Sequence, residues 1–218
     1  MRPPPTQDWR GATADQRRDD RKTRLLDAGL EVIGTRGWAS TTVKAVCREA
    51  NLTERYFYEA FTNRDELLFE VFDRVKDEVV HAVVEAFAAA PADARTKARA
   101  SISAAFELLT SDPRKGRVLL LEAAGDERLQ ERRQDALLAG ADLLARIARA
   151  YVEPRAADDV DVRLTALAIV GAETELATAY LSGRIDVPVE RLIDHVTDLH
   201  LAAANVSSAA TTASASAE

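Results

Sequence analysis

Apolar residues recur at helical spacing along most of this chain, and that pattern limits the fold it can adopt. In the segment 15–36 they fall at Leu26, Leu30 and Ile33, which lie on one stripe of a helix. Runs that alternate β-branched and polar residues are almost absent, and aromatic residues make up only 6% of the chain. Because those runs are the usual signal of strands, we predict an all-α protein.

Glycine, proline and capping residues divide the pattern into segments. The predicted helices are 15–36, 43–50, 54–60, 64–88, 93–110, 113–124, 127–152, 159–182 and 189–204. Between the second and the third, Asn51 tolerates positive φ and Thr53 can cap the helix that follows. These two features predict two short helices joined by a three-residue turn.

The 218 residues are enough for two structural units. We expect a small helical unit at 15–63 and a larger one at 64–205. Residues 1–14 contain three prolines and predict a flexible arm, and residues 206–218, rich in Ser, Ala and Thr, predict a disordered tail.

The charge of the chain is unevenly distributed. The net charge is −7, but residues 1–64 carry 12 Lys and Arg against 9 Asp and Glu, and the remainder carries 17 against 27. An N-terminal excess of +3 beside a body at −10 fits a unit that faces nucleic acid and a body that repels phosphate. The basic face of the first helix has two interpretations, phosphate contact or an ordinary solvated surface; its members are Arg17, Arg18, Arg21, Lys22 and Arg24.

Several classes of site are not expected. The single cysteine, Cys47, excludes an internal disulfide and fits a reducing cytoplasm, and we interpret it as a small core residue. The histidines His81, His195 and His200 are not spaced as ligands on one helical face, and no glycine-rich phosphate loop occurs. The longest apolar uncharged run, 164–172, is too short to span a membrane. We therefore expect no enzyme, no metal, no cofactor and no membrane segment.

The stretch 42–68 has the organisation of a helix-turn-helix unit. Such units place their second helix in the major groove of DNA. The third predicted helix separates an outward polar set from an inward aromatic set. The outward set is Thr53, Glu54, Arg55 and Tyr56, and the inward set is Phe57 and Phe61.

The order of these elements resembles the TetR family of regulators between Leu25 and Phe72. The resemblance depends on Gly37-Trp38, Thr41-Thr42-Val43, Val46-Cys47, Ala50-Asn51-Leu52-Thr53, Phe57-Tyr58, Phe61 and Arg64-Asp65-Glu66-Leu67-Leu68. The departures are Asn51 where the family usually has Gly, Cys47 where it has Ala, Ala60 where an aromatic is frequent, and Arg64 where Lys is common.

The resemblance implies roles for individual residues in DNA binding. Thr42, Tyr58 and Arg64 would hold the DNA backbone with help from Lys44, and such contacts set the register without reading sequence. Arg55 and Tyr56 would read bases, because guanidinium can bridge guanine O6 and N7. Glu54 would accept a hydrogen bond from cytosine or disfavour binding to other DNA sequences. Tyr58 has a second interpretation, a ring that seals the third helix.

The resemblance also implies a homodimer formed through helices 159–182 and 189–204, and therefore a double-stranded DNA site of two inverted half-sites. A stripe of apolar residues could line an effector cavity or form a plain core; it comprises Phe87, Ile102, Phe106, Leu109, Leu120, Leu137 and Leu144. Glu173 and Glu175 could anchor the polar end of a ligand, or one could pair with an arginine across the dimer while the other meets solvent.

Together these features predict a ligand-responsive transcriptional regulator. The expected mode is a repressor that a small hydrophobic or amphipathic effector releases from a palindromic operator. The alternative is an all-helical carrier or interaction protein that does not read DNA.

Overall fold

A computed structural model describes residues 13–122, 127–151 and 159–214 of the chain. Within those ranges the regular structure is helical and contains no strand, so the all-α prediction is confirmed. The helices are α1 (Ala14–Arg36), α2 (Val43–Glu49), α3 (Glu54–Ala60), α4 (Arg64–Ala89), α5 (Ala94–Ser111), α6 (Pro113–Gly116), α7 (Glu127–Tyr151), α8 (Asp159–Leu181) and α9 (Val189–Ser214).

The chain divides into two compact units, with the boundary after Val71. The sequence analysis placed this boundary at the start of α4, whereas in the structure it falls within that helix. The reason is packing: Leu67, Leu68 and Val71 are buried in the first unit. A Cβ added at Gly29 of α1 would lie only 3.0 Å from Val71 Cγ2, so glycine permits the close approach of α1 to α4.

The first unit is organised around the aromatic side of α3. Phe57 and Phe61 are buried against α1 and α2, as the inward set predicts. Gly37 ends α1 with φ 82°, and Trp38, in a short 3₁₀ turn Trp38–Ser40, is buried. The Thr42 hydroxyl accepts from the Ala45 amide at 3.1 Å and begins α2.

The turn between α2 and α3 follows the sequence prediction in its backbone but not in its cap. Asn51 has φ 52°, in the left-handed region. Thr53 occupies the N-cap position of α3, but its side chain makes no capping hydrogen bond. The expectation that Thr53 caps α3 through its hydroxyl was therefore wrong. Arg24 of α1 adds a contact that the sequence did not suggest, since its Nη2 donates to the Ala50 carbonyl at 2.6 Å.

Asn51→Val is expected to lower the free energy of unfolding by about 1–2 kcal/mol, because a β-branched residue pays the steric cost of the left-handed region. Asn51→Gly is the matched control and should preserve stability, since glycine adopts that region without strain. Urea denaturation of both variants measures the difference. An Asn51→Val variant as stable as Asn51→Gly would contradict this account of the turn.

The second unit has two layers of apolar contact. Phe106 and Leu109 of α5 pack with Ile193 and Val196 of α9 in one buried cluster. Ion pairs lie along the same two helices, Arg95 with Asp198 at 2.7 Å and Arg99 with Asp194 at 2.8 Å. The other layer joins α7 to α8 through small side chains that allow close approach: Ala141, Ala145 and Ala166.

Several predicted boundaries differ from the structure. Thr13 and Gln16 form a capping box, so α1 begins at Ala14, inside the predicted arm. Residues 1–12 of that arm lie outside the described residues. The segment predicted as one helix, 113–124, is α-helical to Gly116 and π-helical over Arg117–Leu121. Residues 123 and 124 of that prediction are outside the described ranges.

The C-terminal helix is longer than the sequence analysis expected. α9 runs to Ser214, through much of the segment predicted as a disordered tail. Alanine has the highest helix propensity, and neither Gly nor Pro occurs between Val189 and Ser214 to end the helix. Residues 215–218 of the predicted tail lie outside the described residues.

By length and composition alone, one segment of the described chain, Val160–Leu181, is apolar enough to cross a membrane. The uncharged run 164–172, which by itself is too short to span a membrane, lies within this segment. Few residues of this segment are buried inside the fold, so α8 exposes an apolar face.

Candidate nucleic-acid interface and interior cavity

The outward side of α3 carries the residues predicted to meet DNA. Thr53, Glu54 and Arg55 are exposed, whereas Phe57 on the opposite side is completely buried. Tyr56 is only partly exposed, because the Arg21 guanidinium of α1 lies 4.6 Å from the centroid of its ring. α3 thus presents a short polar surface that is held from beneath by aromatic packing.

Arg55 is the most accessible cation of this surface. Its side chain is 84% exposed, and its Nε donates to Glu59 Oε1 at 3.0 Å. An exposed pair of this kind contributes only about 0.3–0.5 kcal/mol. The guanidinium can therefore turn toward another acceptor at small cost.

Three predicted backbone contacts lie on accessible positions of the same unit. Thr42 is exposed at the N-terminus of α2, and Lys44 is exposed in the first turn of that helix. Tyr58 is 58% exposed and makes an edge contact with Phe57, the ring centroids being 5.4 Å apart. The Tyr58 hydroxyl can therefore reach outward, although its ring also seals part of α3.

Arg64 differs from the other predicted contacts, because protein groups engage its guanidinium. Nη1 donates to the Thr41 carbonyl at 2.7 Å, and the guanidinium lies 4.0 Å from the centroid of the Trp38 ring. Arginine has five N–H donors, so these contacts leave donors for a phosphate. The structure adds a role that the sequence did not reveal, in which Arg64 links the start of α4 to the end of the 3₁₀ turn.

Part of the basic face of α1 has protein partners. Arg18 Nη2 donates to the Glu59 carbonyl at 3.0 Å, and Lys22 Nζ lies 2.7 Å from Glu70 Oε2. These residues hold α3 and the first turns of α4 against α1. No local sequence signal predicts such contacts, since the partners are about 40 residues or more away along the chain.

The second unit contains a cavity of about 380 Å³. Its wall includes most of the predicted effector residues: Phe87, Ile102, Phe106, Leu120, Leu144 and Glu173. Glu175 is not part of the wall. Its side chain is 68% exposed and pairs with Arg133, so its predicted place in the effector site is corrected. Glu173 and Glu175 are two residues apart, and about 200° of helical rotation puts them on different faces of α8.

The remaining wall is mainly aliphatic. It is contributed by α4, α5, the π-helical segment Arg117–Leu121, α7, α8 and α9. The predicted residues Leu109 and Leu137 are part of it, and further members are Val79, Val83, Leu119, Ile147 and Leu201. A cavity of this size and lining suits a small molecule with a substantial apolar part.

Three polar residues of this wall, Arg133, Glu173 and His200, form a patch. Glu173 of α8 lies beside His200 of α9, with Oε1 3.1 Å from Nε2, and Arg133 of α7 lines the same cavity. Burial raises the pKa of the Glu173 carboxyl above its ordinary value, and the neighbouring imidazole offsets part of that rise. Glu173 is therefore easier to protonate in the folded protein than in the unfolded chain.

Glu173→Gln is expected to raise the free energy of unfolding at neutral pH by about 1 kcal/mol, because it removes a carboxylate buried with an unfilled acceptor. A carboxyl with a raised pKa stabilises the fold fully below its unfolded pKa and loses that contribution as pH rises through its folded pKa. The advantage of the glutamine variant should therefore vanish in acid, below the ordinary glutamate pKa. Urea denaturation across this pH range measures it, and a difference independent of pH would contradict the account.

Residues 25–71 match the family described as bacterial regulatory proteins, tetR family. The chain is also 30% identical, over 95 residues, to the HTH-type transcriptional activator FasR of Mycolicibacterium smegmatis. That match covers 44% of this chain and 43% of the activator, so less than half of the relative's length is compared.

Solved structures of similar fold cover most of the chain. The regulator FadR from Bacillus subtilis, in complex with stearoyl-CoA, has a TM-score of 0.70 at 22% identity, covering 82% of this chain and 96% of its own. The fatty acid degradation regulator FadR from Bacillus halodurans has a TM-score of 0.69 at 20% identity, covering 83% and 94%. A putative transcriptional regulator from Pseudomonas aeruginosa PAO1 has a TM-score of 0.71 at 19% identity, covering 95% and 99%. At these identities the likeness concerns the fold.

Proposed function

We propose that this chain is a ligand-responsive repressor of the tetR family of bacterial regulatory proteins, whose family model matches residues 25–71. It binds an inverted-repeat DNA site as a homodimer in the cytoplasm, catalyses no reaction, and leaves the site when a small hydrophobic or amphipathic effector fills the cavity of its second unit.

The observation that carries the DNA-binding part is the two-sided character of α3. Its aromatic side is buried while Arg55 extends into solvent, and this helix lies within the residues that match the family. A short, exposed helix after a tight turn suits insertion into the major groove. The Arg55 guanidinium would pair with guanine O6 and N7, with Tyr56 and Glu54 beside it, while Thr42, Lys44, Tyr58 and the remaining donors of Arg64 would contact phosphates.

The exposed face of α8 supports the homodimer. Val160 and Leu164 are exposed, Ala168 follows on the same stripe, and a Cβ added at Gly171 would meet nothing within 4 Å. A second copy of α8 would cover this apolar stripe in a symmetric interface. The contribution of α9 differs from the sequence expectation, because Leu192, Ile193 and Val196 are buried in the core of their own unit. We assign the interface mainly to α8, with Leu199 as an exposed apolar position of α9.

One helix supplies side chains to both functions. The first turns of α4 contribute Leu67 and Leu68 to the core of the first unit, and later turns contribute Val79 and Val83 to the cavity wall. An effector that favours one position of α4 would therefore favour one arrangement of the two DNA-binding first units in the dimer. Release requires that the effector bind this arrangement more tightly than the DNA-bound one.

Ala136→Trp is expected to abolish the response to effector while preserving DNA affinity. Ala136 lines the cavity, and a tryptophan there occupies space that a ligand needs. Fluorescence anisotropy of an operator duplex, titrated with stearoyl-CoA or decan-1-ol, measures the response. Ala139→Trp, at an exposed position of the same helix, is the control and should respond like the unchanged protein.

If saturating ligand left the DNA affinity of the original protein unchanged, release from DNA by an effector would be contradicted. A protein that binds the ligands but shows no sequence-specific DNA affinity would instead support the all-helical carrier. Salt separates specific binding from weak adsorption, because phosphate contacts make log affinity fall linearly with log salt.

Activation is the second candidate mode, favoured by the similarity to the activator FasR. A reporter gene placed behind the selected operator distinguishes the two modes. A repressor lowers expression and the effector restores it, whereas an activator raises expression when bound.

A further inference from the structure

The unfilled hydrogen-bonding capacity of the second unit is concentrated at its cavity. In the described part of the chain, two buried side-chain atoms have no hydrogen-bond partner, Arg133 Nε and Glu173 Oε1. Both belong to residues that line the cavity. Leaving a buried donor or acceptor unpaired is costly, so each such atom in a native structure calls for an explanation.

The other polar residues of the wall are occupied by the protein itself. Lys97 Nζ donates to the Phe87 carbonyl at 2.7 Å, and Ser101 Oγ donates to the Val83 carbonyl at 3.3 Å. Thr174 Oγ1 donates to the Val170 carbonyl at 2.8 Å, and Lys76 pairs with Asp73 at 3.3 Å. A polar group of a ligand would therefore gain the most from hydrogen bonds at the patch of Arg133 and Glu173.

The surroundings of this patch fix its hydrogen-bonding character. His200 Nδ1 lies 3.0 Å from the Val196 carbonyl, and because a carbonyl only accepts, Nδ1 carries a proton. Nε2 is close to Glu173 Oε1, but the two are not aligned as a hydrogen bond, so Oε1 retains its acceptor capacity. Arg133 is held by its Nη2 contact with Glu175, which leaves Nε–H as the unfilled donor.

We infer that the effector carries, at the end of its apolar chain that meets Arg133 and Glu173, an uncharged group that both donates and accepts a hydrogen bond. A hydroxyl or a primary amide meets this requirement: it donates to Glu173 Oε1 and accepts from Arg133 Nε–H. A carboxylate has no proton to donate to Glu173 Oε1, an ammonium has no lone pair to accept from Arg133 Nε–H, and a plain alkyl end leaves both protein atoms unpaired. This inference rests on the proposed effector role of the cavity and specifies the chemistry of the molecule that fills it.

A set of ligands with one chain and different ends tests the inference. Isothermal titration calorimetry at neutral pH and at fixed salt compares decan-1-ol, decanamide, decanoate, decylamine and decane, each with the full-length protein. The alcohol and the amide should bind at least about tenfold more tightly than the other three, since a hydrogen bond to a charged group contributes on that scale. The relative affinities of alcohol and amide identify which of the two groups fits better.

Glu173→Gln provides a reversal that a merely structural role would not produce. This variant should strengthen decanoate binding by about tenfold, because the glutamine amide can donate to the ligand carboxylate. It should weaken decan-1-ol binding, because an amide oxygen is a weaker acceptor than a carboxylate. Glu107→Gln is the control, since Glu107 is an exposed glutamate of α5 outside the cavity wall. It should leave the whole series unchanged.

Three results would overturn the inference: equal binding of all five ligands, tightest binding of the carboxylate or the amine, or no binding of the alcohol and the amide. Each is independent of the DNA assay. A chain that reads DNA but fails this ligand series refutes the inference alone, and a chain that binds the alcohol without sequence-specific DNA affinity refutes the proposed regulator alone.

Discussion

Phe57→Ala is expected to unfold the N-terminal unit and to abolish DNA binding. Phe57 is completely buried, contacts the ring of Phe61 with centroids 5.4 Å apart, and holds α3 against α1 and α2. Truncating a buried phenylalanine costs about 3–5 kcal/mol, which is a large share of the stability of a small unit. Thermal unfolding followed by circular dichroism measures the loss of the unit, and anisotropy with an operator duplex measures the loss of binding.

Tyr58→Ala is the matched control for that substitution. Tyr58 is adjacent in sequence but largely exposed, so its removal should weaken DNA binding through the lost backbone contact and leave the unfolding transition nearly unchanged. If Phe57→Ala retained a cooperative N-terminal transition and normal DNA affinity, the proposed support of α3 from beneath would be wrong.

Arg55→Ala is expected to weaken binding to the selected operator by about 10-fold to 100-fold for each half-site, because a bidentate contact with guanine contributes about 1–3 kcal/mol of discrimination. The exposed Arg55 side chain makes only a surface pair with Glu59, so the stability of the variant should match that of the original protein. Affinities for the operator and for a scrambled duplex, measured at one salt concentration, give the specific part of the loss.

Two further arginine and lysine variants separate base reading from charge. Lys44→Ala should weaken binding to every duplex alike and reduce the steepness of the salt dependence by about two, as expected when a homodimer loses one phosphate contact from each protomer. Arg184→Ala removes an exposed positive charge from the second unit and should change neither quantity. If Arg55→Ala lost the same affinity for operator and for scrambled DNA, Arg55 would be a contact to the DNA backbone and not to bases.

The local features of the first unit could be predicted from sequence because they depend on neighbouring residues. The Thr42 cap, the positive φ of Asn51 and the inward position of Phe57 each follow from residue type and helical spacing. The contacts of Arg64 with Thr41 and Trp38 could not be predicted, because they join the start of α4 to a segment more than 20 residues earlier. Arginine composition alone does not distinguish such a contact from a phosphate contact.

The cavity illustrates the same limit. The apolar residues that could line a cavity can be identified in the sequence, but periodicity does not distinguish a plain core from a wall with empty space behind it. Glu173 and Glu175 looked equivalent in an apolar helix, and only the placement of α7 and α9 separates a carboxylate at the cavity from one at the surface. For α9, the structure shows that three apolar positions serve the core of their own unit, which helical spacing could not decide.

The central claim is that the outward side of α3 reads DNA sequence. Selection of bound duplexes from a random pool by the full-length protein tests it most directly, with Arg55→Ala selected in parallel. The account predicts enrichment of an inverted repeat whose half-sites are centred about 10–10.5 base pairs apart, or a multiple of that spacing, with relaxed preference at one position of each half-site for the variant. Recovery of duplexes without a common sequence, or the same sequence with the same preferences from both proteins, would contradict it.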